Sequence, residues 1–107
     1  MAITNEQLPH EVADRLKKGE RLNILDVREH DEWESGHIPG AKHIPLGEIN
    51  RALNEVDPKQ ETIIVCRSGG RSGRACEYLS SLGYNVVNMP GGMSAWSGDM
   101  KYGSEQF

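Results

Sequence analysis

Apolar residues follow two rhythms along this chain, and the rhythms alternate. Leu8, Val12 and Leu16 fall four apart, which predicts an amphipathic helix capped by Thr4 or Asn5, with Pro9 in its opening turn and Gly19 beyond its end. LNILDV, residues 22–27, is short, apolar and free of glycine and proline, as a buried strand should be. REHDEWESG then supplies a polar helical turn or two around Trp33, and HIPGAKHIP turns at Pro39-Gly40 into a short strand at 42–44. Ile49, Ala52, Leu53 and Val56 return to helical spacing over 47–56, and Pro58 stops that helix. TIIV, 62–65, is a β-branched run and the clearest strand. From Ser72 to Leu82 one helical face carries Ala75, Cys76, Leu79 and Leu82, with Gly83 placed as a C-terminal cap. NVVNM, 85–89, is a further strand, and GGMSAW opens a last helix.

Strands alternating with helices through short connections predict an α/β fold with a mainly parallel central sheet flanked by helices. No repeat, linker or low-complexity stretch interrupts the 107 residues, so one domain is expected, ending in a polar tail over 97–107 that lacks periodicity. Open parallel sheets bind ligands at the carboxyl ends of their strands. Cys66 stands at such an end.

Composition narrows the chemistry. A net charge of -4 argues against a broad nucleic-acid footprint, and no apolar stretch approaches the roughly 20 residues that span a bilayer. The first residues, MAITNEQLPHEV, show neither a secretory nor an Arg-rich transit pattern, which sets the expectation of a cytoplasmic protein with no membrane or nucleic-acid partner. Two cysteines are too few for a disulfide scaffold, so each needs its own explanation.

Cys66 is explained by its neighbours in the chain. Within TIIVCRSGGRSGRAC, 62–76, stand Arg67, Arg71 and Arg74 and no acidic residue, a local cationic window in a net-negative chain. A loop between a strand and a helix N-terminus leaves backbone N–H groups unpaired, and Gly69 and Gly70 allow those groups to converge as an anion cradle. Amides and the charges of Arg67 and Arg71 both favour a thiolate over a thiol, and both would receive an anionic substrate. The bland reading of Cys66 is a small buried hydrophobe. A nucleotide P-loop would need GxxxxGK[ST], which is missing here, and His10, His30, His37 and His43 form no metal-ligand pair beside the cysteines, so they read as structural or surface residues. A histidine brought to Cys66 by the fold stays open as an alternative source of activation.

Taken together, LDVREHDEWESGHIPGAKHIP, CRSGGRS and NMPGGMSAW resemble, in order, the N-terminal signature, active-site loop and C-terminal signature of the rhodanese-like sulfurtransferases, in particular their small single-domain members. The resemblance implies a mechanism: the Cys66 thiolate takes the outer sulfur of thiosulfate, sulfite leaves, and a Cys66 persulfide passes sulfur to cyanide or a thiol. It implies no metal or organic cofactor. The partners would be a small anionic sulfur donor and a thiol or protein acceptor. Arg67 and Arg71 would bind the anion, and the amides of Ser68, Gly69, Gly70, Arg71 and Ser72 would hold the persulfide. The rivals are a cysteine phosphatase or arsenate reductase of the same fold and a non-catalytic interaction module. Phosphatases use C-x5-R, with arginine seventh in the loop, whereas here Arg71 is sixth and Ser72 seventh. Cys76 reads as core, with a resolving thiol as the alternative. Asp26 and Arg28, within the family's D-x-R pattern, read as ordering the GHIPGA turn, Trp33 and Trp96 as packing residues, and Arg74 as either solvated or a rim contact.

Overall fold

A computed structural model describes residues 5–103. Five parallel strands form one sheet: β1 (Asn5–Glu6), β2 (Asn23–Asp26), β3 (Lys42–His43), β4 (Thr62–Val65) and β5 (Val86–Asn88), in the spatial order β1-β5-β4-β2-β3. β4 is central, paired in register with β2 (Asp26 opposite Val65) and with β5 (Ile64 opposite Asn88). All four of its residues are buried, as befits a strand covered on both faces.

Side chains alternate across the strands and feed two cores. Leu25, Val27, Ile64, Cys66 and Val86 pack on one face with Ala52 of α3 (Ala52–Glu55) and with Ala75, Cys76 and Leu79 of α4 (Gly70–Ser81). Ile24, Ile63, Val65 and Val87 pack on the other with Val12 of α1 (Pro9–Lys17) and Trp33 of α2 (His30–Glu34). Trp33 is stacked between two buried histidines, His37 at 3.5 Å and His43 at 4.8 Å between ring centroids, which makes the packing role read for these residues concrete.

The departures from the periodicity are local. α1 starts one residue after Leu8, whose amide is capped by the Glu11 carboxylate at 2.8 Å; Asn5 lies in β1 rather than at a cap, and Thr4 is outside the described residues. The helix read over 47–56 is a 3-10 segment, Leu46–Arg51, with non-helical backbone at Glu48, followed by the single turn of α3. GGMSAW forms a 3-10 turn, Gly92–Ala95, rather than a longer helix. α4 begins at Gly70, two residues before Ser72, and Leu82 is 49% exposed at its C-terminal end, so it does not share the buried stripe of Cys76 and Leu79. In the tail, Lys101 and His37 exchange backbone hydrogen bonds at 2.8 Å. Among the described residues no helix is long and apolar enough to cross a membrane.

Candidate active site

β4 delivers Cys66 to the carboxyl edge of the sheet, and the segment after β5 clamps the chain there. The amide of Met93 donates to the Cys66 carbonyl at 2.8 Å, that of Ser94 to the Arg67 carbonyl at 2.9 Å, and that of Gly91 to the Ser68 carbonyl at 3.2 Å. Such close approach requires Gly92, at φ +54°, because a Cβ there would collide with the Cys66 carbonyl oxygen and the Arg67 backbone. Gly69 turns the loop into α4 at φ +105°, where a Cβ would press within 3.1 Å of Pro90 Cα. Gly70, also expected to ease the turn, has neither positive φ nor a crowding neighbour.

The loop points its donors at the sulfur. Cys66, 1% exposed, accepts from the Gly69 amide at 3.0 Å on its Sγ and has the Ser72 hydroxyl oxygen 3.3 Å away. Burial pushes the thiol up, but the Ser72 hydroxyl and the amides of Ser72, Gly69 and Ser68 outweigh it and bring Cys66 below the ordinary cysteine value. A thiolate favoured in this way can act as a nucleophile. The two buried histidines bond to backbone carbonyls: His37 Nδ1 meets that of Trp33 at 2.8 Å and His43 Nε2 that of Arg28 at 2.7 Å.

The arginines divide. Arg71 is held by Glu32 of α2 in a two-point ion pair, and that carboxylate raises its affinity for the proton further. Arg67 is exposed and its side chain makes no hydrogen bond or ion pair among the described residues; it borders an open cleft of about 320 Å³ together with Arg28, Glu32, Met93, Ser94 and Met100. Arg74 is exposed on the outer side of α4.

Residues 8–99 match the Rhodanese-like domain family. The chain belongs to that family. It is 41% identical over 88 residues to "Putative sulfurtransferase YtwF" of Bacillus subtilis, spanning 82% of this chain and 85% of that one. A protein of Allochromatium vinosum named "Sulfurtransferase" is 35% identical over 96 residues, covering 89% and 90% of the two chains. The crystal structure of a rhodanese-like domain protein from Staphylococcus aureus superposes with a TM-score of 0.87 at 34% identity, over 94% of this chain and all of that one.

Within this rhodanese-like domain Cys76, Asp26 and Arg28 lie buried. Cys76 is fully buried, and desolvation, followed by the nearby Cys66 and Glu77 charges, pushes it up to about 12. Asp26 and Arg28 form a buried pair at 2.8 Å, and Arg28 also donates to the Gly36 carbonyl at 2.7 Å, which ties down the start of GHIPGA. Sequence reasoning missed Glu32, Asn88 and the hydroxyl of Ser72. Asn88, 7% exposed, accepts from that hydroxyl at 2.6 Å and donates to the Gly69 carbonyl at 3.4 Å. Its signal was present: a polar residue closing an apolar strand at the sheet edge where Cys66 emerges.

Proposed function

We propose that the protein is a sulfurtransferase that carries sulfane sulfur on Cys66. The observation that supports this best is the buried Cys66 sulfur facing the Gly69 amide and the Ser72 hydroxyl, in a loop whose donors favour its ionised form. The thiolate attacks the outer sulfur of thiosulfate or a comparable donor. The S–S bond of the donor breaks, its electron pair leaves with sulfite, and Cys66 becomes a persulfide. A thiol or cyanide then attacks the outer sulfur and releases the Cys66 thiolate. Arg67, whose side chain has no partner among the described residues, offers its charge to the incoming anion, and the amides from Ser68 to Ser72 hold the persulfide. The names of the relatives support the reaction class, while thiosulfate as donor rests on the family resemblance, with which the anion-receptive loop is compatible.

Intact mass spectrometry after thiosulfate treatment tests the proposal. One added sulfur is expected, lost again on adding cyanide with release of thiocyanate, and absent in Cys66→Ser. Hydrolysis of an aryl phosphate with no sulfur uptake would overturn it in favour of a phosphatase. Silence in both assays would favour an interaction module.

A further inference from the structure

Ser72 carries one hydroxyl proton and faces two acceptors. Asn88 Oδ1 lies 2.6 Å from Ser72 Oγ, and Cys66 Sγ lies 3.3 Å from it. The hydroxyl cannot serve both at once. We propose that Asn88 is a positioning residue that competes with the Cys66 thiolate for the Ser72 hydroxyl proton and thereby limits how much thiolate the loop sustains.

The geometry fixes each partner. Asn88 Nδ2 donates to the Gly69 carbonyl, so its Oδ1 is turned toward Ser72, and Asn88 is held by β5 and Ser72 by α4. In the thiol state the hydroxyl takes the shorter bond to Asn88, and its oxygen is left to accept from the Cys66 S–H. Ionisation sends the Cys66 proton to solvent, and the Ser72 O–H rotates to the sulfur without breaking. Asn88 Oδ1 then loses its donor inside the protein, a penalty set against the thiolate. Such a brake has a chemical use: the nucleophilicity of a thiolate falls with its pKa, so the best attacking thiol titrates near ambient pH. The charged and titratable groups around the sulfur are Arg67 beside it, Arg71 and Cys76 on α4, Glu29 and Glu32 facing Arg71, and the Asp26–Arg28 pair at the end of β2. Substituting Asn88 changes none of their charges.

Thiolate absorbance against pH measures the effect with no sulfur donor present, so its outcome is separable from the sulfur-transfer reading. Burial pushes Cys76 up to about 12 and the loop lowers Cys66, so the lower transition is assigned to Cys66. In Asn88→Ala and the size-matched Asn88→Leu the midpoint should fall, giving about tenfold more thiolate at a pH below it, the equivalent of one hydrogen bond redirected to the sulfur. Ser72→Ala should raise the midpoint, and Ser72→Ala/Asn88→Ala should match Ser72→Ala alone. An unchanged or raised midpoint in the Asn88 variants would overturn the proposal, as would an Asn88 effect that survives without the Ser72 hydroxyl. Should the Asn88 variants not fold, the side-chain amide resonance of Asn88 in the unaltered protein decides. It should move with the Cys66 transition and cease to do so in Ser72→Ala; a resonance that is flat, or that still moves in Ser72→Ala, overturns the proposal.

Discussion

Arg71 and Glu32 meet in two parallel hydrogen bonds, Nη1 to Oε1 at 2.7 Å and Nη2 to Oε2 at 2.8 Å, across 39 residues of sequence. A bidentate pair offsets both charges, so Arg71 presents less net charge to a substrate anion than an unpaired arginine would. Glu32→Gln should release it. The expected result is a rise in kcat/KM for thiosulfate, carried by KM, on the order of a few-fold, with a steeper loss at high salt. Arg71→Gln should do the opposite and lose more than Glu32→Gln/Arg71→Gln, because it leaves an unpaired carboxylate facing a dianion. Equal kinetics in Arg71→Gln and the double variant would show that the Glu32 charge does not reach the substrate.

The same pair predicts a pH dependence of stability. Arg71, foremost, holds the Glu32 carboxyl at about 2, against 4.5 ordinarily. A carboxyl lowered on folding stabilises the protein above its unfolded value, so the contribution is whole above about 4.5 and is lost as pH falls from there toward about 2. Both side chains are partly solvated, which limits the gain to about 0.2–1 kcal/mol. Urea midpoints of the native protein and Glu32→Gln should differ at neutral pH and converge across that window. A gap that persists at pH 2 would locate the effect of the substitution outside the ion pair.

Arg67 makes the opposite case, a cation with no partner among the described residues at the mouth of the cleft. Arg67→Gln should lower kcat/KM for thiosulfate about ten- to a hundredfold, as expected for one charge-assisted hydrogen bond worth about 1.5–3 kcal/mol. Arg74→Gln, on the exposed side of α4, is the control and should change it little. Arg67 has no role in donor binding if both variants keep full efficiency.

The contrast between the two arginines also marks how far the sequence could be read. The alternation of apolar strand and amphipathic helix reported the α/β sheet because burial on two faces demands it, and the position of Cys66 followed from the end of TIIV. Charge could be counted but not paired. Arg67 and Arg71 look alike in CRSGGRS, and only the packing of α2 against the loop separates the paired cation from the open one. β1 was missed since two exposed residues carry no period, and the Ile49 to Val56 spacing fitted a helix although its first part winds as 3-10. Asn88 was passed over for a similar reason: its meaning comes from Ser72, on another element.

The two cysteines should behave as different chemical species. Cys66→Ser should abolish sulfur uptake, and Cys66 should alkylate readily near neutral pH, since its surroundings favour the thiolate. Cys76, on the inner face of α4 and pushed up to about 12, should stay unmodified in the folded protein. Cys76→Ala should keep most activity and lose about 1 kcal/mol of stability from the vacated core space. Peptide mapping after brief alkylation, with a urea titration of each variant, checks both statements. Loss of activity in a folded Cys76→Ala would assign it a role in the reaction.

The adjacent glycines of the loop offer a sharper contrast, because composition treats them as equal and geometry does not. Gly69 holds φ +105° with Pro90 and Gly91 close against the space a side chain would fill. An alanine there must adopt the left-handed backbone, which costs about 1 kcal/mol or more, and push on the segment that clamps the loop. The amide it carries also donates to Cys66 Sγ, so a displaced backbone should raise the cysteine midpoint as well as weaken the fold. Gly70 opens α4 with free space around it, and alanine is the better helix former. Gly70→Ala should therefore leave the thiolate transition in place and hold or raise stability by up to about 0.5–1 kcal/mol. Thermal unfolding and thiolate absorbance on the two variants read out both effects, and a Gly69→Ala variant as stable and as readily ionised as Gly70→Ala would show that the positive φ of Gly69 is not what places the amide on the sulfur.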